Sequence, residues 1–135
     1  MKVFLDLLKT TGAELVKLNK RTSAKMALLG DLNTARATCK TKEAKAMIGE
    51  LMLPIDKDVR KDVDAFNSKV AAAWKKAKGE TPPPDVEKKI QGVLNNGAKS
   101  MQSKGGPRLE PSFSGTAGIR FHYYSLDEKG KSAAG

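Results

Sequence analysis

Cysteine, histidine, aromatic side chains and long apolar runs are all scarce in this chain, and each scarcity closes off a class of function. Cys39 is the only cysteine among 135 residues, so neither an intrachain disulfide nor a cysteine metal cage is available. His122 is the only histidine, which removes histidine-pair metal sites. Seven aromatic residues (four Phe, two Tyr, one Trp) allow only a lean core, filled largely by alanine and aliphatic residues. No stretch approaches the roughly 18 apolar residues of a membrane-spanning helix. Met1-Lys2-Val3-Phe4-Leu5 begins like a signal peptide, but Asp6 and Lys9 interrupt it, so the expected location is the cytoplasm or a virion. The first 53 residues contain no proline, which leaves room for helices.

What the chain does have is positive charge. The net charge is +10, and most of the excess lies in the first 79 residues. Such a balance favours acidic partners, nucleic acid or an anionic membrane surface, although solvated helix faces account for much of it.

The periodicity is helical over most of the length. Residues 56–78 read as one helix with Val59, Val63, Phe66, Val70, Ala73 and Ala77 on one face, widened by Trp74. Pro54 precedes it, Asp56 is placed to cap it and Gly79 to close it. Asp56, Asp58, Asp62 and Asp64 at its start and Lys75, Lys76 and Lys78 at its end suit the helix dipole. Residues 2–29 carry a second amphipathic pattern. Phe4, Leu8, Leu15, Leu18, Met26 and Leu29 fall within an arc of about 80°. Thr11 and Glu14 offer a capping box around Gly12, yet the apolar phase passes through Gly12 unchanged, which favours one continuous helix. Gly30-Asp31 reads as its boundary. Residues 32–45 are weakly periodic, and residues 46–53 form an apolar run that Pro54 stops.

The C-terminal half changes character. Residues 80–84 (ETPPP) form a stiff spacer. Residues 85–103 form a further helix, weakened by Gly92 and Gly97. Gly105-Gly106-Pro107 ends the helical part. Residues 108–113 and 119–126 then read as a β-hairpin around a five-residue loop, with Pro111 confining its strand to an edge. Residues 127–135 read as a flexible tail. The organisation is therefore a helical body at 1–79, a polyproline linker at 80–84, a helix at 85–104 and an extended arm at 105–135. The fold class is mainly α: amphipathic helices in a small bundle or hairpin, with a C-terminal β-hairpin. The expected core holds Leu15, Leu18, Met26, Leu29, Val63, Phe66, Val70 and Trp74.

Catalytic constellations are thin. Ser112, Ser114 and Thr116 have no base nearby in sequence, and Gly115-Thr116-Ala117-Gly118 lacks the lysine of a phosphate loop. The aspartate pairs are two residues apart and diverge on a helix. No catalytic residue, metal, cofactor or small-molecule substrate is expected.

Two surfaces carry more. Lys17, Lys20, Arg21 and Lys25, continued by Lys40 and Lys42, form a basic set suited to phosphates without base readout. Ile119, Arg120, Phe121, Tyr123 and Tyr124 form a basic and aromatic strand suited to stacking bases or to pairing with another subunit. In general make-up, a short, basic, alanine-rich helical body with a glycine-containing aromatic arm, the chain resembles small bacteriophage virion proteins such as connectors, scaffolds and ejected internal proteins. The leading reading is a non-enzymatic assembly protein, a homo-oligomer or one subunit of a larger complex, whose arm completes itself between subunits. Nucleic-acid binding through the basic helices comes second, and membrane-surface binding through residues 2–29 comes third.

Overall fold

In the computed structural model, which describes residues 2–77, 82–114, 118–127 and 129–131, two long helices form an antiparallel hairpin. The elements in chain order are α1 (Lys2–Thr38), α2 (Lys42–Lys76), α3 (Pro84–Met101), β1 (Arg108–Ser114) and β2 (Gly118–Tyr124). The mainly helical fold with a C-terminal two-stranded antiparallel hairpin matches the sequence reading. The elements close a ring around one core. α1 packs on both α2 and α3, β2 lies on α2, and β1 lies on α3.

Helix α1 is continuous through Gly12, as its apolar phase required. Thr11 is not a cap. Its hydroxyl is buried and donates to the Leu7 carbonyl one turn back at 2.7 Å. Gly30 is not a boundary either, because the helix runs on to Thr38. A Cβ there would lie 2.9 Å from Ser103 Oγ and 3.3 Å from backbone atoms of the loop after α3. The glycine serves close approach, and the helix continues around it.

The largest correction concerns α2. It starts at Lys42, where the Thr41 hydroxyl caps it by accepting from the Ala44 N–H at 3.2 Å, and it passes through Pro54. Proline removes one intrahelical hydrogen bond. Here Pro54 and Glu50, whose carbonyl is freed, both lie on the exposed side, where water can serve that carbonyl. Met52, Val59, Val63, Phe66 and Val70 are buried in one unbroken phase on either side of the proline. Burying that stripe against α1 outweighs the lost bond. Asp56 is accordingly mid-helix rather than a cap, and the aspartates are too far from the helix start to answer its dipole. Lys75 and Lys76 do occupy the last turn. Gly79 and the first residues of the spacer lie outside the described residues.

Pro84 supplies the first residue of α3, where a missing N–H costs nothing. Gly97 lets α3 approach α1 closely, since a Cβ there would sit 2.7 Å from Leu15 Cδ2. The tail is less loose than expected at Asp127, Lys129, Gly130 and Lys131. Asp127 Oδ1 accepts from the N–H groups of Lys129 and Lys131, and the Gly130 carbonyl accepts from Asn33 Nδ2 on α1.

The β-hairpin pairs Leu109 with Tyr123, Pro111 with Phe121 and Phe113 with Ile119. Those six residues face the helices. Leu109, Ile119 and Phe121 are fully buried there, and Phe66 stacks on Phe121 with ring centroids 5.0 Å apart. Trp74 meets Phe113 edge-on at 5.4 Å and covers Gly118. Gly118 has φ +80°, and a Cβ there would lie 2.8 Å from the indole, so only glycine fits. The arm therefore folds back onto its own chain. Ile119 and Phe121, expected at a subunit interface, belong to the intrachain core, because α2 and α3 offer them a continuous apolar bed.

A two-stranded sheet has two open edges, and each must be satisfied. On the β2 edge the Asn67 amide of α2 pairs with one peptide unit, accepting from the Phe121 N–H at 2.8 Å and donating to the Phe121 carbonyl at 3.0 Å. On the β1 edge Gln102 Nε2 donates to the Leu109 carbonyl at 3.0 Å. Since the Phe121 groups point outward, Pro111 opposite it sits at a pair that exchanges no ladder bonds, and its missing N–H is harmless. Asn67→Ala strands both Phe121 groups and should cost about 1–3 kcal/mol in a urea titration. A loss below about 0.5 kcal/mol would show that water replaces the amide without penalty.

Candidate interaction surfaces

Asp56 and Tyr123 join α2 to β2. The Tyr123 hydroxyl donates to Asp56 Oδ1 at 2.6 Å, while Arg60 donates to Asp56 Oδ2 at 3.0 Å and to Ser125 Oγ at 2.6 Å. The Arg60 guanidinium also lies over the Tyr123 ring at 5.2 Å. Burial, followed by the hydrogen bond to Asp56 and its charge, pushes the Tyr123 phenol far above the usual range for tyrosine. Asp56, Tyr123 and Ser125 border a cleft of about 420 Å³ between the turn end of the helical hairpin and residues 123–127. Its size falls within the range of small-molecule sites, and Leu29, Met52, Leu53 and Leu126 give it apolar walls. Its polar groups are mostly engaged with one another. Arg36 donates to Asn33 and to the Asp127 carbonyl, and Tyr123 is held by Asp56.

The outer face of the sheet carries Arg108, Glu110, Ser112, Arg120, His122 and Tyr124. Tyr124 lies under the Arg108 guanidinium at 4.8 Å. Arg108 Nε is 3.2 Å from Glu110 Oε1, outside hydrogen-bonding geometry. Ser112 Oγ stands 3.1 Å from His122 Nε2, a pairing hidden in the sequence because it arises diagonally across the strand register. Among the described residues no acceptor orients the other ring nitrogen, and the pair lies on an open sheet face. It acts as a cross-strand hydrogen bond. Of the expected interface strand, only Arg120 and Tyr124 face outward, and Tyr123 is half-buried against α2.

The basic residues do not form one stripe. Lys25 is bound to Asp62 Oδ2 at 2.8 Å, and the same oxygen accepts from Thr22 at 3.0 Å. Lys17 lies 3.6 Å from Glu14. Lys17 and Arg21 border a shallow cleft with Lys69 of α2, Lys20 lines the groove between α1 and α3, and Lys40 and Lys42 sit at the turn. Lys69 brings a third cation to this cleft, which Glu14 and Asp62 also line, and only the hairpin register of α1 and α2 could have revealed it. The apolar arc of α1 that a bilayer would need is spent within the chain. No helix among the described residues is long and apolar enough to cross a membrane, and no three metal-ligating side chains converge there.

The face that sequence reasoning missed lies on the back of the helical hairpin, near its turn. Met47 is 67% exposed, Leu51 60% and Leu28 46%, with Ile48, Ile55 and Leu32 half-buried beside them. Compared with known proteins, the chain matches no family model, no curated protein and no solved structure.

The tyrosine contact makes a test at alkaline pH. A phenol whose folded pKa is raised gives stability that is complete below the unfolded value of about 10 and declines as pH climbs above it. Stability measured by urea titration should hold steady up to about pH 10 and then fall. Tyr123→Phe should flatten most of that fall. An equally steep fall in the variant would locate the alkaline sensitivity elsewhere.

Proposed function

We propose that the chain is a non-enzymatic assembly protein that associates with copies of itself. The observation that supports this is that three of the six exposed large apolar side chains, Leu28, Met47 and Leu51, fall on one flank of the helical hairpin near its turn, while Leu5, Val16 and Leu53 are exposed singly elsewhere. A contiguous exposed apolar patch on a small protein marks an interaction surface. The site of association differs from the one expected from sequence, because the arm is already occupied by its own helices. A virion component, the kind of protein the overall make-up resembles, is one setting in which such a subunit works.

A second reading is supported by the basic end of the same hairpin. Arg21 and Lys69 have no ion pair among the described residues, and the chain carries +10. Contacts of that kind neutralise phosphates without reading sequence. Self-association and polyanion binding use different ends of the hairpin and are compatible.

Light scattering across a wide concentration range tests the leading reading. The expected mass rises above that of the 14.5 kDa monomer as concentration increases. A mass that stays at the monomer value at the highest attainable concentration would contradict it.

A further inference from the structure

The ion pair between Lys25 and Asp62 fixes which flanks of α1 and α2 lie side by side. Leu28 and Leu32 follow Lys25 by three and seven residues. Ile55 and Leu51 precede Asp62 by seven and eleven, and Met47 lies one turn before Leu51. Steps of three, four, seven and eleven return to one helix face, so these side chains share the flank marked by the ion pair. The β-hairpin and α3 dock elsewhere, on the flanks that carry Asn67 and Trp74 of α2 and Asn19 and Gly30 of α1.

Along this flank of α2, charges stand on either side of Met47, Leu51 and Ile55. Lys40 stands in the turn, beyond Met47. Asp58, exposed and without an ion pair among the described residues, stands on the other side of Leu51, one turn before Asp62. The face therefore runs basic, apolar, acidic away from the turn, an order that is self-complementary under a twofold axis.

We propose that a second copy of this chain covers the patch in an antiparallel arrangement with the twofold axis near Leu51. The inference rests on the reading of the chain as self-associating. Asp58 lies seven residues beyond Leu51, about 10 Å along the helix, and Lys40 lies eleven residues before it, about 16 Å, an offset of about 6 Å that a lysine side chain spans. The twofold brings each Lys40 toward the partner's Asp58 and sets each Met47 near the partner's Ile55. The turn ends overlap, while the basic ends bearing Lys17, Arg21 and Lys69 point away from each other. A parallel arrangement would stack Asp58 on Asp58 and the basic ends on one another, which like charges disfavour.

Sedimentation equilibrium in reducing buffer, which keeps Cys39 from cross-linking, tests this on the full chain. Met47→Glu and Leu51→Glu change exposed positions, and circular dichroism checks that helical content is kept. Each should raise the dimer dissociation constant by about tenfold or more. Lys40→Glu and Asp58→Lys should each weaken the dimer, and the two together should restore it. In a Cys39→Ser background, Leu51→Cys should cross-link between copies on oxidation, while Lys99→Cys on the exposed side of α3 should not. This arm remains decisive if a glutamate variant misfolds. An oligomer unaffected by either glutamate, or one in which Leu51→Cys fails to cross-link, overturns the face while leaving self-association standing. A double charge swap that fails to restore association overturns the antiparallel order. A wild-type chain that stays monomeric overturns both, and the patch then belongs to a different partner.

Discussion

The docking of the β-hairpin depends on how its edge is satisfied. A hairpin of two short strands cannot stand alone in water, and its outward N–H and C=O groups invite pairing with another chain. Here the Asn67 amide presents one donor and one acceptor to the Phe121 peptide, as a third strand would, from the side of a helix. That pairing holds β2 against α2, where Phe66 receives Phe121 and Asp56 receives the Tyr123 hydroxyl. With β2 fixed, β1 reaches α3, and α3 in turn packs on α1. Apolar burial supplies most of the driving force, and the amide pairing supplies register and denies the edge to other chains.

Much of the fold was legible as hydrophobic phase. The continuity of α1 through Gly12, the buried stripe from Val59 to Val70 and the alternation of Ile119, Phe121 and Tyr123 all survive in the structure. Where a local breaker residue conflicts with that phase, the phase prevails. Pro54 and Gly30 look like boundaries, yet one lies on an exposed flank of a long stripe and the other at a close helix–loop approach. A proline on the solvent side costs less than interrupting a packed stripe. A glycine whose neighbour comes from 73 residues further along the chain (Ser103) has no local signature at all.

The surfaces were harder to read for the same reason. Asn67, Gln102 and Lys69 carry no periodic signal, and their roles depend on which segment folds opposite them. The apolar strip of the arm reads in isolation as an open surface; in place, it is core. Met47 and Leu51 looked like ordinary members of an apolar run, and only the packing shows that the other side of α2 meets α1. What remains beside the polar outer face of the sheet is a helical face with an apolar turn end and a basic far end, in a chain whose β-strands are paired and covered on their apolar side.

The central claim is that the arm belongs to its own chain and that the Asn67 amide closes its outer edge. Native-state hydrogen exchange at the Phe121 amide tests this most directly, because that N–H points away from β1 and is protected by a single side chain. The account predicts exchange only through an opening as large as the one that exposes the amides of α2, with the same dependence on denaturant. Exchange through a small local opening, or protection that appears only as protein concentration rises, would contradict it and return the arm to a role between chains.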